Sequence, residues 1–280
     1  MKEISIDELR QIEHSILDFI VDVCNNNNIT YYLCGGTLLG AYRHKGFIPW
    51  DDDIDVMMPR PDYERFITIF PRHEYMELRN NRLDRHYPMA FSTVNDTRTV
   101  KVEAKLRNEL KSSLSVNVDI FPIDGLPSDI AECEKYFKQI AHAQKMMECS
   151  TKAFGKAPTL KATILKNLGI ATYRCLELLG LRTIRHYVQR MEQLAMRYPY
   201  DTAEYVGITA ISHYGIRERN IKAHYAPAMK VTFEGKLYSS PACYDTYLSQ
   251  LYGKDYMQLP PKHMQHTHHT SGCYWKTRQQ

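Results

Sequence analysis

No C-x-x-C pair occurs among the seven cysteines of this 280-residue chain, and an odd number cannot close into a complete set of disulfides. A disulfide framework and a zinc knuckle are therefore excluded, and reduced thiols in a cytoplasmic protein are expected. Charge of one sign is scarce as well. The 36 Lys and Arg stand against 32 Asp and Glu, and the balance of +4 is too small to announce a nucleic-acid partner, so none is expected. No apolar run approaches the ~20 residues that a membrane-spanning helix needs. The longest uncharged run, residues 25–42, holds four Asn and three Gly and reads as turn, strand and turn. The first residues, MKEISIDELR, place acids where a signal peptide needs an apolar stretch, which again leads us to expect a cytoplasmic protein. Neither G-x-x-x-x-G-K-[ST] nor G-x-G-x-x-G is found, so Walker and Rossmann phosphate loops are not expected.

What is present is the composition of a globular protein, with 44% hydrophobic and 24% charged residues and 13 each of Gly and Pro. The basic residues are unevenly placed, since residues 128–198 carry twice as many Lys and Arg as Asp and Glu. Leu9, Ile12, Ile16, Phe19, Ile20 and Val23 recur at helical spacing behind the capping-box pattern Ser5-x-x-Glu8, which predicts a helix over 6–24. Residues 29–34 have strand content and run into Gly35-Gly36-Thr37, with a turn of helix expected from Leu38 to Arg43. Strands are expected at 54–58, 88–94, 99–106 and 115–121, and Pro61 is placed as the first residue of a helix reaching Phe70. In 115–121 the alternation puts Val116, Val118 and Ile120 on one face and Asp119 on the less apolar one. From Ser128 to Tyr198 helical patterning takes over, broken near Gly155–Pro158, and a strand pair (230–233, 237–239) and a helix from Pro241 follow. The expected fold class is α+β, with a core over 1–126, a basic helical lobe over 127–200 and a further part over 201–280.

The densest chemistry lies in Pro49-Trp50-Asp51-Asp52-Asp53-Ile54-Asp55. On a strand, Asp53 and Asp55 would point the same way with Cα atoms about 6–7 Å apart. Two such carboxylates suit Mg²⁺ or Mn²⁺, hard cations that bind acids together with substrate phosphates. Asp119, an acid among apolar neighbours, is the candidate third carboxylate. Asp51 is either a further ligand or an acid beside the site. Three other readings compete: a solvated turn, a calcium loop, and the D-x-D of a nucleotide-sugar glycosyltransferase. The calcium loop fits poorly, because an EF-hand needs Gly at its sixth position and Glu at its twelfth, where this chain has Val56 and Asp62. The segment before the acids argues against a mere turn. Gly35, Gly36 and Thr37 at a strand-to-helix junction let backbone approach a phosphate at a helix N-terminus, and Arg43 and Lys45 add cations nearby.

These residues resemble the LicD family, which includes bacterial phosphorylcholine transferases and is related to fukutin and fukutin-related protein. The resemblance rests on Gly35-Gly36-Thr37 through Arg43-His44-Lys45 to Trp50-Asp-Asp-Asp53-Ile-Asp55, on Val118-Asp119-Ile120-Phe121-Pro122-Ile123-Asp124-Gly125, and on Phe233-Glu234-Gly235 with Leu251-Tyr252-Gly253. Leu259-Pro260-Pro261 and the His268-His269 region are also similar to family sequence. The similarity spans 31–126 and 231–275, while 127–230 carries no motif of its own. It implies a nucleotidyltransferase-like fold, a mixed β-sheet core flanked by helices on which the part over 201–280 packs back, although the gap from Gly36 to Asp53 is longer than that superfamily usually shows. It implies metal ligation by Asp53, Asp55 and Asp119, phosphate contact by Gly35, Gly36 and Thr37, and charge compensation by Arg43 and Lys45. The implied reaction takes a phospho-alcohol, phosphocholine as first choice, from a CDP-linked donor to a hydroxyl of a cell-envelope or capsular glycan and releases CMP. Tyr31, Tyr32, Tyr42 and Trp50 are candidate cage residues for a quaternary ammonium, packing in the sheet being the alternative role. A lipid-linked acceptor and a peripheral contact of the basic lobe at the inner membrane face are further expectations. The competing classes are a D-x-D glycosyltransferase and a non-catalytic metal or glycan binder.

Overall fold

Lys2–Glu3 (β1) leads into Ile6–Asn26 (α1), whose start is fixed by a reciprocal cap: Ser5 Oγ accepts from the Glu8 N–H, and the Glu8 carboxylate accepts from the Ser5 N–H at 3.1 Å. The computed structural model describes residues 1–103, 105–111, 114–211, 213–266 and 272–277, so the expectation for His268-His269 lies outside the described residues. After α1 come Tyr32–Leu33 (β2), Gly35–Arg43 (α2), Asp55–Pro59 (β3), Arg60–Ile69 (α3) and Met76–Arg79 (β4). Ser92–Asp96 (β5), Thr99–Val102 (β6), Asn108–Lys111 (α4) and Asn117–Leu126 (β7) complete the first half. Three helices follow, Ile130–Thr151 (α5), Leu160–Leu178 (α6) and Ile184–Ala195 (α7). The chain then forms Tyr205–Ile208 (β8), Asn220–Ile221 (β9), Met229–Phe233 (β10), Lys236–Ser240 (β11), Tyr244–Tyr252 (α8) and Gly272–Trp275 (β12).

The architecture is α+β around a mixed sheet of order β2-β3-β7-β5-β4, with β8 and then β9 added beside β7. β7 is the organising strand because it is long enough to serve two sets of partners. Its first half pairs in parallel with β3 and antiparallel with β5, and its second half pairs with β8. The expected alternation holds: Val116, Val118 and Ile120 are fully buried, while Asp119 is partly exposed on the other face. α1 lays Ile12, Ile16 and Ile20 on this sheet, and β1, β12 and β6 form a small separate sheet that ties the two ends of the chain together.

Among the described residues, buried side chains form two clusters. The larger gathers α1, the main sheet and the elements after residue 205; the smaller is built chiefly from α5 and α7. At the start of α3, the largely buried Arg60 grips the buried Asp124 of β7 through two hydrogen bonds of 2.6 and 2.8 Å, and Thr209 donates to the same carboxylate at 2.9 Å. Burial alone would lower the Arg60 pKa, but Asp124 outweighs it and keeps the guanidinium charged.

The helical region is interrupted over 152–159 as anticipated, and a second time at Gly180, whose φ of +68° closes α6 in a left-handed turn. That break had no proline to announce it. The expected strand 29–34 is only Tyr32–Leu33, and the helix after it begins at Gly35 rather than Leu38. Among the described residues β2 is an edge strand that pairs with β3 alone, through Tyr32↔Met57 and Leu33↔Val56. All seven cysteines are free thiols. Among the described residues, no helix is long and apolar enough to cross a membrane.

Candidate active site

Two neighbouring strands carry the acids. In the parallel register Asp55 opens β3 directly opposite Asp119 of β7, and the Asp119 N–H donates to the Ile54 carbonyl at 3.1 Å. Asp53 and Asp51 approach from the loop that enters β3. Burial raises the Asp55 pKa well above the usual carboxylate range, and the charges of Asp53, Asp119 and Asp51 push it further the same way. Asn117 donates to Asp119 Oδ1 at 2.5 Å and orients that carboxylate.

Glycine is required where α2 meets these acids. A Cβ on Gly36 would stand 2.7 Å from Asp51 Oδ2, and one on Gly35, whose φ is +54°, would stand 3.2 Å from Asp55 Oδ2. Thr37 is buried and its hydroxyl accepts from the Asp55 N–H at 2.8 Å, so it fastens α2 to the first residue of β3. Arg43, in the last turn of α2, donates to the carbonyls of Tyr256 and Gln258 at 2.8 and 3.1 Å, and burial lowers its pKa. Lys45 stands exposed in the following turn with φ +63°, and it is not among the residues lining the cavity described below.

The loop bearing the acids is held from behind. Arg10 of α1 donates to the carbonyls of Ile48, Pro49 and Asp51 over 2.7–3.2 Å. Glu234, in the β10–β11 turn, accepts from the Phe47 N–H at 3.0 Å, while its own N–H donates to the Lys45 carbonyl. The carboxy-terminal motif thereby packs on the first one.

In front of the acids a cavity of about 740 Å³ is lined by Gly36, Arg43, Asp51, Asp53 and Asp55 on one side and by the segment around 252–264 on the other. Its aromatic walls are Trp50, Tyr214, Tyr252 and Tyr256. Of the four cage candidates read from sequence, only Trp50 lines it. Tyr31 and Tyr32 are buried in the core, and Tyr42 stacks on Tyr244 with ring centres 3.8 Å apart while its hydroxyl meets Ser240. Their positions are corrected accordingly: Tyr31 and Tyr32 are taken up by the core where the chain enters β2, and Tyr42, on α2, by its stack with Tyr244, before any of them can serve a ligand. Behind the cavity wall Tyr214 donates to Tyr252 at 2.9 Å, and Tyr247 lies 3.4 Å from the Gly35 N–H.

Two charged residues near the acids were not singled out from the sequence. Glu13 of α1 is fully buried, with no hydrogen-bond partner for either carboxylate oxygen, and burial raises its pKa well above normal. Lys101 of β6 is the cation facing this group. Burial alone would depress its ammonium, but Glu13 and Asp119 outweigh that and keep it charged. The signal for Glu13 was its position in the stripe of Leu9, Ile12, Ile16 and Ile20, where an acid has no solvent to face.

A divalent cation is compatible with this donor set, which is entirely oxygen and carries an excess of negative charge. Among the described residues, no three His, Cys, Asp or Glu side chains converge closely enough to cage an ion by themselves. Magnesium commonly binds through one or two carboxylates with water and substrate phosphate supplying the rest, so a complete protein cage is not required.

A family model described as LicD/FKTN/FKRP, nucleotidyltransferase domain, matches residues 28–154. A lipopolysaccharide cholinephosphotransferase, LicD, of Haemophilus influenzae is 32% identical over 282 aligned residues, covering 98% of this chain and 99% of that protein. Uncharacterized proteins of Rickettsia typhi and Rickettsia prowazekii are each 37% identical, over 28% and 27% of this chain and 23% and 26% of their own lengths. The end-to-end likeness to a named transferase spans both strands that carry the acids and the segment that closes the cavity. The chain belongs to the LicD family and is a transferase of phosphate-containing groups.

Proposed function

We propose that this enzyme transfers phosphocholine from CDP-choline to a hydroxyl of a lipopolysaccharide or related envelope glycan, with release of CMP. The observation that carries the proposal is the register that sets Asp55 opposite Asp119 beside an aromatic-walled cavity, in a chain alignable over its length with a lipopolysaccharide cholinephosphotransferase. Asp53, Asp55 and Asp119 would hold Mg²⁺ or Mn²⁺, which when bound would offset charge on the phosphoryl oxygens.

The roles of the chain's own residues follow from their places. Gly35 and Gly36 leave the first turn of α2 open to the diphosphate, whose charge the helix N-terminus and Arg43 favour. Lys45, exposed in the following turn and outside the cavity lining, would add positive charge only from a distance. Thr37 and Arg10 fix the backbone on which the acids ride, so the carboxylates meet substrate already placed. Trp50, Tyr214, Tyr252 and Tyr256 offer ring faces to a quaternary ammonium, which can make no hydrogen bond. The acceptor oxygen forms its bond to the phosphorus carrying choline as the bond to the CMP oxygen breaks. The acceptor proton passes to Asp119 or to water. The free cysteines accord with a cytoplasmic site of action.

The proposal is tested by the melting temperature of the protein with CDP-choline, CDP-ribitol, CDP-glycerol and a UDP-sugar, each with Mg²⁺ or EDTA. Ligand that binds the folded state raises apparent stability by mass action. A Mg²⁺-dependent rise with CDP-choline that vanishes in Asp53→Asn is expected. A rise with the UDP-sugar alone would replace the proposal with glycosyl transfer.

A further inference from the structure

Helix α6 offers a surface that the fold leaves unused. Of its 19 residues only Ile170 is buried, whereas Leu160, Ile164, Leu165 and Leu168 are each more than half exposed. At about 100° per residue, Leu160, Ile164, Leu168 and Leu178 share one face. The turn that follows continues the patch, with Leu178, Leu179 and Leu181 exposed by 87%, 70% and 66%. A single exposed leucine is ordinary, but a contiguous set marks a surface made for contact.

Beside that turn, α5 and α7 enclose a groove of about 800 Å³ lined by Lys135, Lys138, His142, Arg182, His186 and Arg190, with no Asp or Glu in its walls. Among the described residues, none of the four Lys and Arg side chains is engaged in an ion pair. Arg182 joins the two features, since it follows Leu181 directly and lines the groove.

We propose that this face docks on an anionic membrane surface, with the leucines of α6 and of the turn after it entering the acyl boundary and the groove's cations engaging phosphate head groups. Charge selects this occupant. A second copy of the chain would bring two basic lobes together, because residues 128–198 hold twice as many Lys and Arg as Asp and Glu, and like charges oppose that contact. An anionic bilayer satisfies both halves of the surface at once, as it does for other helices that lie in the interface plane. The inference does not depend on the reaction, since none of these residues touches the acidic site.

The test is cosedimentation of the whole protein with vesicles of phosphatidylcholine, alone or mixed with phosphatidylglycerol. Wild type should bind the mixed vesicles and release at high salt. Each Lys or Arg near an anionic surface contributes roughly fivefold, so Lys138→Gln/Arg182→Gln/Arg190→Gln should bind about 100-fold more weakly. Leu178→Ser/Leu179→Ser/Leu181→Ser should lose at least about tenfold, given the apolar area withdrawn. Both variants change exposed side chains and should keep the wild-type melting temperature and circular dichroism. Equal binding to both vesicle types, no binding to either, or wild-type binding by either variant would overturn the proposal. So would a solution dimer of the wild type that the leucine variant dissolves.

Discussion

Replacing Glu218 by Gln should flatten the way this protein's stability depends on pH. Glu218 closes a short 3-10 turn directly after Tyr214 of the cavity wall, is 2% exposed, and has one carboxylate oxygen without a hydrogen-bond partner. Burial pushes its pKa up to about 8, although the Ile208 N–H and Arg217 pull the other way. In the unfolded chain the same group titrates near ~4.3. Between those values the unfolded chain has released its proton while the folded chain keeps it, so stability falls as pH rises. The contribution is fully present below about pH 4.3 and lost by about pH 8, at roughly 1.4 kcal/mol per pH unit, or of order 5 kcal/mol across the window. Gln fills the same volume and cannot ionise. Urea unfolding of both proteins at half-unit steps from pH 5 to 8.5 isolates the group, because every other acid contributes equally to both curves. Glu218→Gln should match wild type near pH 5 and exceed it progressively toward pH 8. Parallel curves would refute the reasoning, since they would mean that Glu218 is solvated or paired in the folded state.

Further outcomes follow from the same geometry. Asp124→Asn should cost about 2–4 kcal/mol in urea unfolding, because it takes away the bidentate partner of the largely buried Arg60 guanidinium and leaves it only the more exposed Glu64; a loss under ~1 kcal/mol would show that the pair is solvated. Arg10→Ala should destabilise by roughly 2–4 kcal/mol and lower kcat, since it frees the carbonyls of Ile48, Pro49 and Asp51. Arg10→Lys should rescue it poorly, as a single ammonium cannot span the three carbonyls. Gly36→Ala should cost at least about tenfold in turnover with only about 1–3 kcal/mol of stability, because the new methyl displaces Asp51; wild-type turnover would mean that Asp51 moves away freely.

The sequence was most informative where the determinants were local. Ser5-x-x-Glu8 and the apolar stripe behind it marked α1 to within two residues, and the alternation around Asp119 put that acid on the correct face of β7. The hairpin Met229–Phe233 and Lys236–Ser240 was announced by Glu234-Gly235, whose φ values of +46° and +77° are those a tight turn demands. What stayed hidden depended on distant partners. Nothing near Arg10 says that its guanidinium will collect the carbonyls of residues 48–51, and nothing near Tyr252 or Tyr256 says that they will wall a cavity opened by α2. β8, β9 and β12 are short strands that exist because β7 and β8 offer the first two an edge and because β1 and β6 flank β12 on either side, not because their own residues insist on it. Tyr31, Tyr32 and Tyr42 failed as cage candidates for a similar reason: composition counts aromatics but cannot say which ones the core consumes.

The most direct test is to measure CMP release and phosphocholine transfer from CDP-choline to lipopolysaccharide by wild type and by Asp55→Asn, with Mg²⁺ and with EDTA. Asp55 is crowded by other negative charges, so its replacement should leave the melting temperature unchanged or raised while turnover falls at least about 1,000-fold. Wild type should release one CMP for each phosphocholine transferred, and only with Mg²⁺ present. Turnover that survives in Asp55→Asn, or that persists in EDTA, would contradict the assignment of Asp53, Asp55 and Asp119 as the centre of this reaction.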